Sequence, residues 1–294
     1  MPPKKRSLEP TWSRPECTGT VPSRRSGHSL TLVPQSGAAF LWGGMRLGAD
    51  GGALTSELYR LNLTQGFHWT KESAAGRVPP PTWRHTASLF DDSHVLIFGG
   101  FTSEADRTDE VWVLNTEHMT WSRPVGSAQI KSRVSKNGDG GGTNGSDSLS
   151  DAGAGQGGGG GSSGSGSTPP SLGDDGRPSP RGSHSATVVG RDLVVFGGYG
   201  GHGFARADFN DLHALSLRNW QWRHCTAHGT APEPRSGHTA SLVQGRWLFV
   251  VGGWNSQTQF QDVHILDMAP TDKVKKNITQ IIVDENEIDE EEDP

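Results

Sequence analysis

Short apolar runs recur along the chain, each closed by a pair of glycines. They are Phe40-Leu41-Trp42 before Gly43 and Gly44, Leu96-Ile97-Phe98 before Gly99 and Gly100, Val194-Val195-Phe196 before Gly197 and Gly198, and Phe249-Val250-Val251 before Gly252 and Gly253. Runs this short, rich in β-branched and aromatic residues and bounded by turn formers, predict strands rather than helices. A variable loop follows each doublet. An acidic residue then opens an alternating stretch: Glu57 to Leu61, Glu110 to Leu114, Asp211 to Leu215 and Asp262 to Leu266. In the first of these, Leu58 and Arg60 share one face and Tyr59 and Leu61 the other. Both faces are partly apolar, as expected of a sheet packed between two neighbouring sheets. A tryptophan strand closes three of the repeats, at Trp69, Trp121 and Trp222. The first repeat therefore predicts four strands, near Ser29–Val33, Ala39–Trp42, Leu58–Leu63 and Trp69–Glu72.

A histidine followed by Ser or Thr precedes each doublet: His28-Ser29, His85-Thr86, His184-Ser185 and His238-Thr239. Three copies read Arg, two small residues, His, beginning at Arg25, Arg181 and Arg235, with Gly27 and Gly237 directly before the histidine in the first and last. The second copy departs, reading Thr82-Trp83-Arg84-His85. Spacing ties the copies together. Trp12 and His28, Trp69 and His85, and Trp222 and His238 are each sixteen residues apart, whereas Trp121 and His184 are sixty-three apart. A low-complexity insertion between two repeats accounts for the difference, because the frame is otherwise kept. The fourth repeat has no tryptophan strand of its own, while the chain starts with an orphan one at Trp12. The two pieces complement each other, so Trp12 is expected to complete the last blade and close the ring.

Arginine with Gly-His, a glycine doublet, an acidic residue before an alternating strand, and then tryptophan: in this order the arrangement resembles the kelch family, over residues 12–126 and 178–268. The wording from Pro232 to His238 is similar to the longer repeats of Rab9-effector-like and host-cell-factor-like proteins. The resemblance implies an all-β fold, a kelch-type β-propeller with four recognisable four-stranded blades. Four is few against a range of about four to eight blades. The sequence leaves open a small closed ring or an incomplete arc that associates with another copy.

Composition changes the picture in two places. The 41 glycines look excessive until they are located, many of them in the nearly pure Gly/Ser/Asn/Asp tract Gly138–Gly166. Residues 127–177 are read as a flexible insert between blades at 11–126 and blades at 178–269. Net charge is −5, yet Asp284–Pro294 alone carries eight acidic side chains. The remainder is only weakly basic, which argues against nucleic acid as a partner. Residues 270–294 read as a disordered acidic tail with a short strand conceivable at 278–283, and residues 1–10 as a disordered basic start. Lys4, Lys5 and Arg6 fit a nuclear import signal or a solvated terminus. Cys17 and Cys225 are too few for a disulfide framework, and no apolar segment at the start reads as a secretory signal, so a cytoplasmic location is expected, with a nuclear one open. No run of apolar residues is long enough to span a membrane.

The motif histidines and the glycines of the doublets, with Trp12, Trp69, Trp121 and Trp222, are read as parts of the repeat. Arg25, Arg181 and Arg235 are expected to pair with Glu57, Asp211 and Asp262. The candidate partner-binding residues lie in the loops after the doublets: Met45, Arg46, Phe101, Arg107, Tyr199, Phe204, Arg206 and Trp254. Equivalent loops of a propeller gather on one face, and aromatic residues, Met and Arg are what interface cores favour. A second reading has these large residues simply covering the blade ends. With no phosphate loop, nucleophile elbow or HExxH motif, and only Tyr59 and Tyr199 available to a copper-radical site, no catalytic, cofactor or metal residues are assigned. The chain is read as a scaffold or adaptor for another protein. A small-GTPase effector in vesicle traffic and a ubiquitin-ligase substrate adaptor are alternatives, and a metal-dependent enzyme at the channel mouth is a remoter one.

Overall fold

The computed structural model describes residues 12–48, 51–124, 175–202 and 205–268. The basic start, the insert as far as residue 174, Phe204 and the acidic tail with the 278–283 segment lie outside the described residues.

The repeats fold as four sheets with one strand order. Blade one comprises Ser29–Val33, Ala38–Trp42, Leu58–Asn62 and His68–Glu72, antiparallel in sequence order from the inside outward. Blade two comprises Thr86–Leu89, His94–Phe98, Val111–Asn115 and Thr120–Ser122, and blade three Ser185–Val189, Asp192–Phe196, Leu212–Ser216 and Trp222–Cys225. Blade four has three strands among the described residues, Thr239–Val243, Trp247–Val251 and Val263–Asp267. The innermost strands of successive blades lie side by side, one to two, two to three and three to four.

Apolar side chains fill the seams between blades. Phe40, Trp42 and Leu58 of blade one meet Val95, Ile97, Leu114 and Trp121 of blade two, with Trp42 edge-on to Trp121 at 4.7 Å. Leu96, Phe98 and Val111 of blade two meet Leu193, Val195 and Leu215 of blade three, and the Trp222 ring lies 5.1 Å from Phe98. The outer-strand tryptophan of one blade thus packs on the aromatic residue that precedes the glycine doublet of the blade before it. This is why the two recur together.

The doublets need glycine for two reasons at once. Gly99 and Gly100 have φ of +67° and +103°, and a Cβ on Gly99 would sit 2.8 Å from the Arg181 carbonyl oxygen of the next blade. Left-handed backbone and close approach both exclude a side chain there.

The expected ring closure is corrected by the structure. Trp12 lies outside any strand and is fully exposed. The chain after it joins blade one instead, where Thr18–Gly19 runs parallel to the outer strand at His68 and Trp69. Ala75–Gly76 does the same for blade two, beside Thr120 and Trp121. Among the described residues blade four has three strands, and none of its pairings joins it to the segment that follows Trp12.

Candidate functional site: the loop face

Each motif arginine ties its blade to the base of its own loop. Arg181 is fully buried, grips Asp211 with two bonds of 2.6 and 2.8 Å, donates to the Gly197 carbonyl at 3.0 Å and stacks 4.3 Å from the Phe209 ring centre. Arg235 repeats this with Asp262, Gly252 and Phe260, whereas Arg25 makes a single bond of 2.7 Å to Glu57, beside its contacts with Gly43 and Tyr59, and Lys71 takes the other Glu57 oxygen. A planar guanidinium matches a carboxylate bidentately, so the arrangement holds loop and strand in fixed geometry. Burial would raise the Glu57 carboxyl, but hydrogen bonds from Lys71 and Arg25 outweigh it and hold its pKa at about 2. Blade two has Thr82 in place of the arginine, and its acid is re-employed: Glu110 accepts from Trp112 Nε1 at 3.0 Å and pairs with Arg123 at 2.9 Å.

The motif histidines join one blade to the next. His85 Nε2 shares a hydrogen bond with Ser29 at 2.9 Å, His184 with Thr86 at 3.0 Å, and His238 with Ser185 at 2.9 Å. Burial pushes all three down, His85 and His238 to about 4, so they are neutral at neutral pH. The buried Nδ1 atoms of His184 and His238 have no acceptor, which is consistent with a single proton per ring. Among the described residues no three His, Cys, Asp or Glu side chains cluster to hold a metal ion.

Just above the histidines, backbone bonds link the four motifs across blades. Arg84 N donates to Gly27 O, Ser183 N to Arg84 O, and Gly237 N to Ser183 O, at 2.8 to 2.9 Å. All four residues have φ between +53° and +64°. The loops rise from this rim as small antiparallel ribbons. Met45 pairs with Ser26 and Leu54, Tyr199 with Gly182 and Asp208, Phe101 bridges Trp83 and Arg107, and Trp254 bridges Ser236 and Gln259. The residue after each doublet therefore occupies the central position of its loop.

The structure brings four of the candidate residues together. The Arg107 guanidinium lies 4.4 Å from the Phe101 ring centre and 5.1 Å from that of Tyr199, so it sits between blades two and three. Arg206 is close enough to depress the Arg107 pKa, after burial, which is the larger cause. Phe101 extends the stack to Trp83 at 5.3 Å, and Arg84 lies 4.8 Å from the Trp83 ring. Arg84, Trp83, Phe101, Arg107 and Tyr199 thus form one continuous series of two cations and three aromatic rings. Met45 and Arg46 stand apart in the blade-one ribbon, with Arg46 3.7 Å from Glu57, and Trp254 stands on blade four with nearly half its surface exposed. Phe101 is buried, covering the end of its blade. Trp83 and Arg84 were missed as candidates, although the departure of the second repeat from Arg-Ser-Gly-His was the available signal.

Blades, seams and loop face define a kelch β-propeller. The KLHDC2/KLHL20/DRC7 Kelch-repeats domain matches residues 7–138 and 166–280, and the chain belongs to this kelch-repeat family. It is 30% identical over 267 residues to acyl-CoA-binding domain-containing protein 4 of Arabidopsis thaliana, covering 87% of this chain and 31% of that protein. It is 27% identical to kelch domain-containing protein 2 of Bos taurus, over 84% of this chain and 53% of the relative. To host cell factor of Drosophila melanogaster it is 26% identical, over 86% of this chain and 16% of the relative. The chain thus spans about half or less of the length of these relatives. No helix among the described residues is long and apolar enough to cross a membrane.

Proposed function

We propose that the chain is a protein-interaction platform without catalytic activity, and that it grips an acidic segment of its partner on the loop face between blades two and three. The observation that carries this is the Arg84–Trp83–Phe101–Arg107–Tyr199 stack with Arg206 beside it. Stacked arginines lose little freedom when they bind, because their planes are already held by the rings. The Arg107 Nε is buried without a hydrogen-bond partner among the described residues, and an incoming carboxylate or carbonyl would supply one. Arginine and aromatic residues are also the side chains that most often dominate binding energy. Met45, Arg46 and Trp254 extend the same surface around the rim. The small-GTPase-effector and ubiquitin-ligase-adaptor roles are special cases of this platform, differing in the partner alone.

The test is quantitative affinity capture from cells with the wild-type chain, Arg107→Gln, Tyr199→Ala and the control Arg223→Gln. Arg223 pairs with Asp192 on the outer strand of blade three. A partner retained by wild type and Arg223→Gln but lost from both loop variants, and then bound directly by calorimetry, supports the reading. Partners indifferent to Arg107 and Tyr199 would overturn it.

A further inference from the structure

Blade four shows what its neighbours have and it lacks. Among the described residues no strand carrying a tryptophan lies on its outer edge, and a cleft of about 340 Å³ opens between blades three and four. At the corresponding seam between blades two and three only about 20 Å³ remain. Phe196, Leu248, Val250, His264 and Leu266 line the cleft. Strand register makes Phe196 the counterpart of Trp42 and Phe98, the residues on which Trp121 and Trp222 pack. Leu266 corresponds to Leu114 and Leu215, which pair with those same tryptophans and are 1% exposed, whereas Leu266 is only half-buried. The cleft thus has the lining that an outer-strand tryptophan meets in blades two and three.

Trp12 is a tryptophan without a socket. It lies six positions before Thr18, as Trp69 lies six positions before Ala75, and Gly19 pairs with Trp69 as Gly76 pairs with Trp121. In register, Trp12 is therefore the outer-strand tryptophan of whatever blade precedes blade one. The inner edge tells the same story. His85, His184 and His238 each bond to the hydroxyl that follows the motif histidine of the preceding blade. His28, the equivalent residue of blade one, is exposed and has no hydrogen-bond partner among the described residues, and Thr239, whose hydroxyl no following histidine takes, is exposed at the other end of the arc. The two end faces are apolar as well: Leu30 and Leu32 on blade one, and Val251, Val263 and Ile265 on blade four, are each 41 to 57% exposed.

We propose that the four-bladed arc associates head to tail with a second copy of itself, the Trp12 segment of each copy completing blade four of the other. Three mismatches are then resolved in one arrangement: Trp12 enters the cleft, His28 meets Thr239, and the exposed aliphatic faces cover each other. The chain's own Trp12 does not fill the cleft, since it is fully exposed. Two arcs of four make eight blades, within the range of about four to eight for closed propellers. Two equivalent heterologous contacts close the ring and remove the open sheet edge of blade four. This rests on the ends of the arc and is independent of what the loop face binds.

Sedimentation velocity of the full chain at tens of micromolar tests it, with Trp12→Ala and Ile265→Asp as variants. A dimer is expected, with its dissociation constant raised about tenfold or more by either substitution, since each removes a buried anchor. Trp12 is fully exposed in the single arc, so Trp12→Ala leaves the isolated chain folded, which circular dichroism checks. Arg107→Gln, on the loop face, leaves the dimer unchanged. A wild-type monomer overturns the proposal, whether or not Trp12→Ala lowers its melting temperature, and so does a dimer that both substitutions leave intact.

Discussion

Each seam between blades has at its inner edge one neutral histidine bonded to one hydroxyl. Because burial lowers His85 and His238 from 6.5 to about 4, the folded state releases a proton that the unfolded chain keeps at pH 5. Their contribution is complete above about pH 6.5 and is lost as pH falls toward 4, at about 1.4 kcal/mol per pH unit for each group fully in the window. Glu57, with its pKa lowered to about 2, works in the same direction at still lower pH. Thermal melts should therefore fall steadily between pH 7 and 4.5; a flat melting temperature over that range would contradict neutral seam histidines. The buried arginines make a second prediction. Arg181→Ala leaves the Asp211 carboxylate without its bidentate partner and should cost about 3–5 kcal/mol in denaturant unfolding. These pairs were legible in the sequence, since arginine and acid recur at fixed positions. The histidine–hydroxyl ladder was not, because its partners come from different repeats and only packing brings them together.

At the scale of the element, the strands were legible because short alternating runs between glycine doublets admit little else. The doublets are also where a single methyl is most costly. Gly99→Ala forces a Cβ against the Arg181 carbonyl at positive φ and should destabilise by more than about 2 kcal/mol, through overpacking and backbone strain together. Gly190→Ala, at a turn with φ of +60° and nothing within 4 Å, should cost only about 1 kcal/mol. Equal effects from the two substitutions in chemical denaturation would mean that close approach plays no part. The variable loops of blades two and four are held by isolated bridges at Phe101 and Trp254, and those of blades one and three prove to be ribbons of three short strands. Their sequences lack alternation because Gly51, Gly52, Gly200 and Gly201 pair through backbone alone. The stack through Arg107 was legible only in part: Phe101, Arg107 and Tyr199 follow from their loop positions, whereas Trp83 enters through a repeat that breaks the pattern.

Across the whole molecule, repetition fixed the blades and their order but not the curvature of the arc, which depends on how side chains wedge each seam. That is why an orphan tryptophan strand and a blade lacking one were recognised as complements, while their failure to meet within one chain was not. The loop face has its own logic at this scale. The histidine and glycine devices beneath it are shared by the blades, the arginine by all but blade two, and the stack above it belongs to blades two and three. Binding specificity therefore resides in what the repeat leaves free. The most direct measurement is calorimetry of acidic peptides selected by display against the whole chain, titrated into wild type, Arg107→Gln and Arg223→Gln. The account predicts that Arg107→Gln weakens binding about tenfold or more while Arg223→Gln leaves it unchanged. Selected peptides that bind all three equally would show that the loop face between blades two and three is not the site.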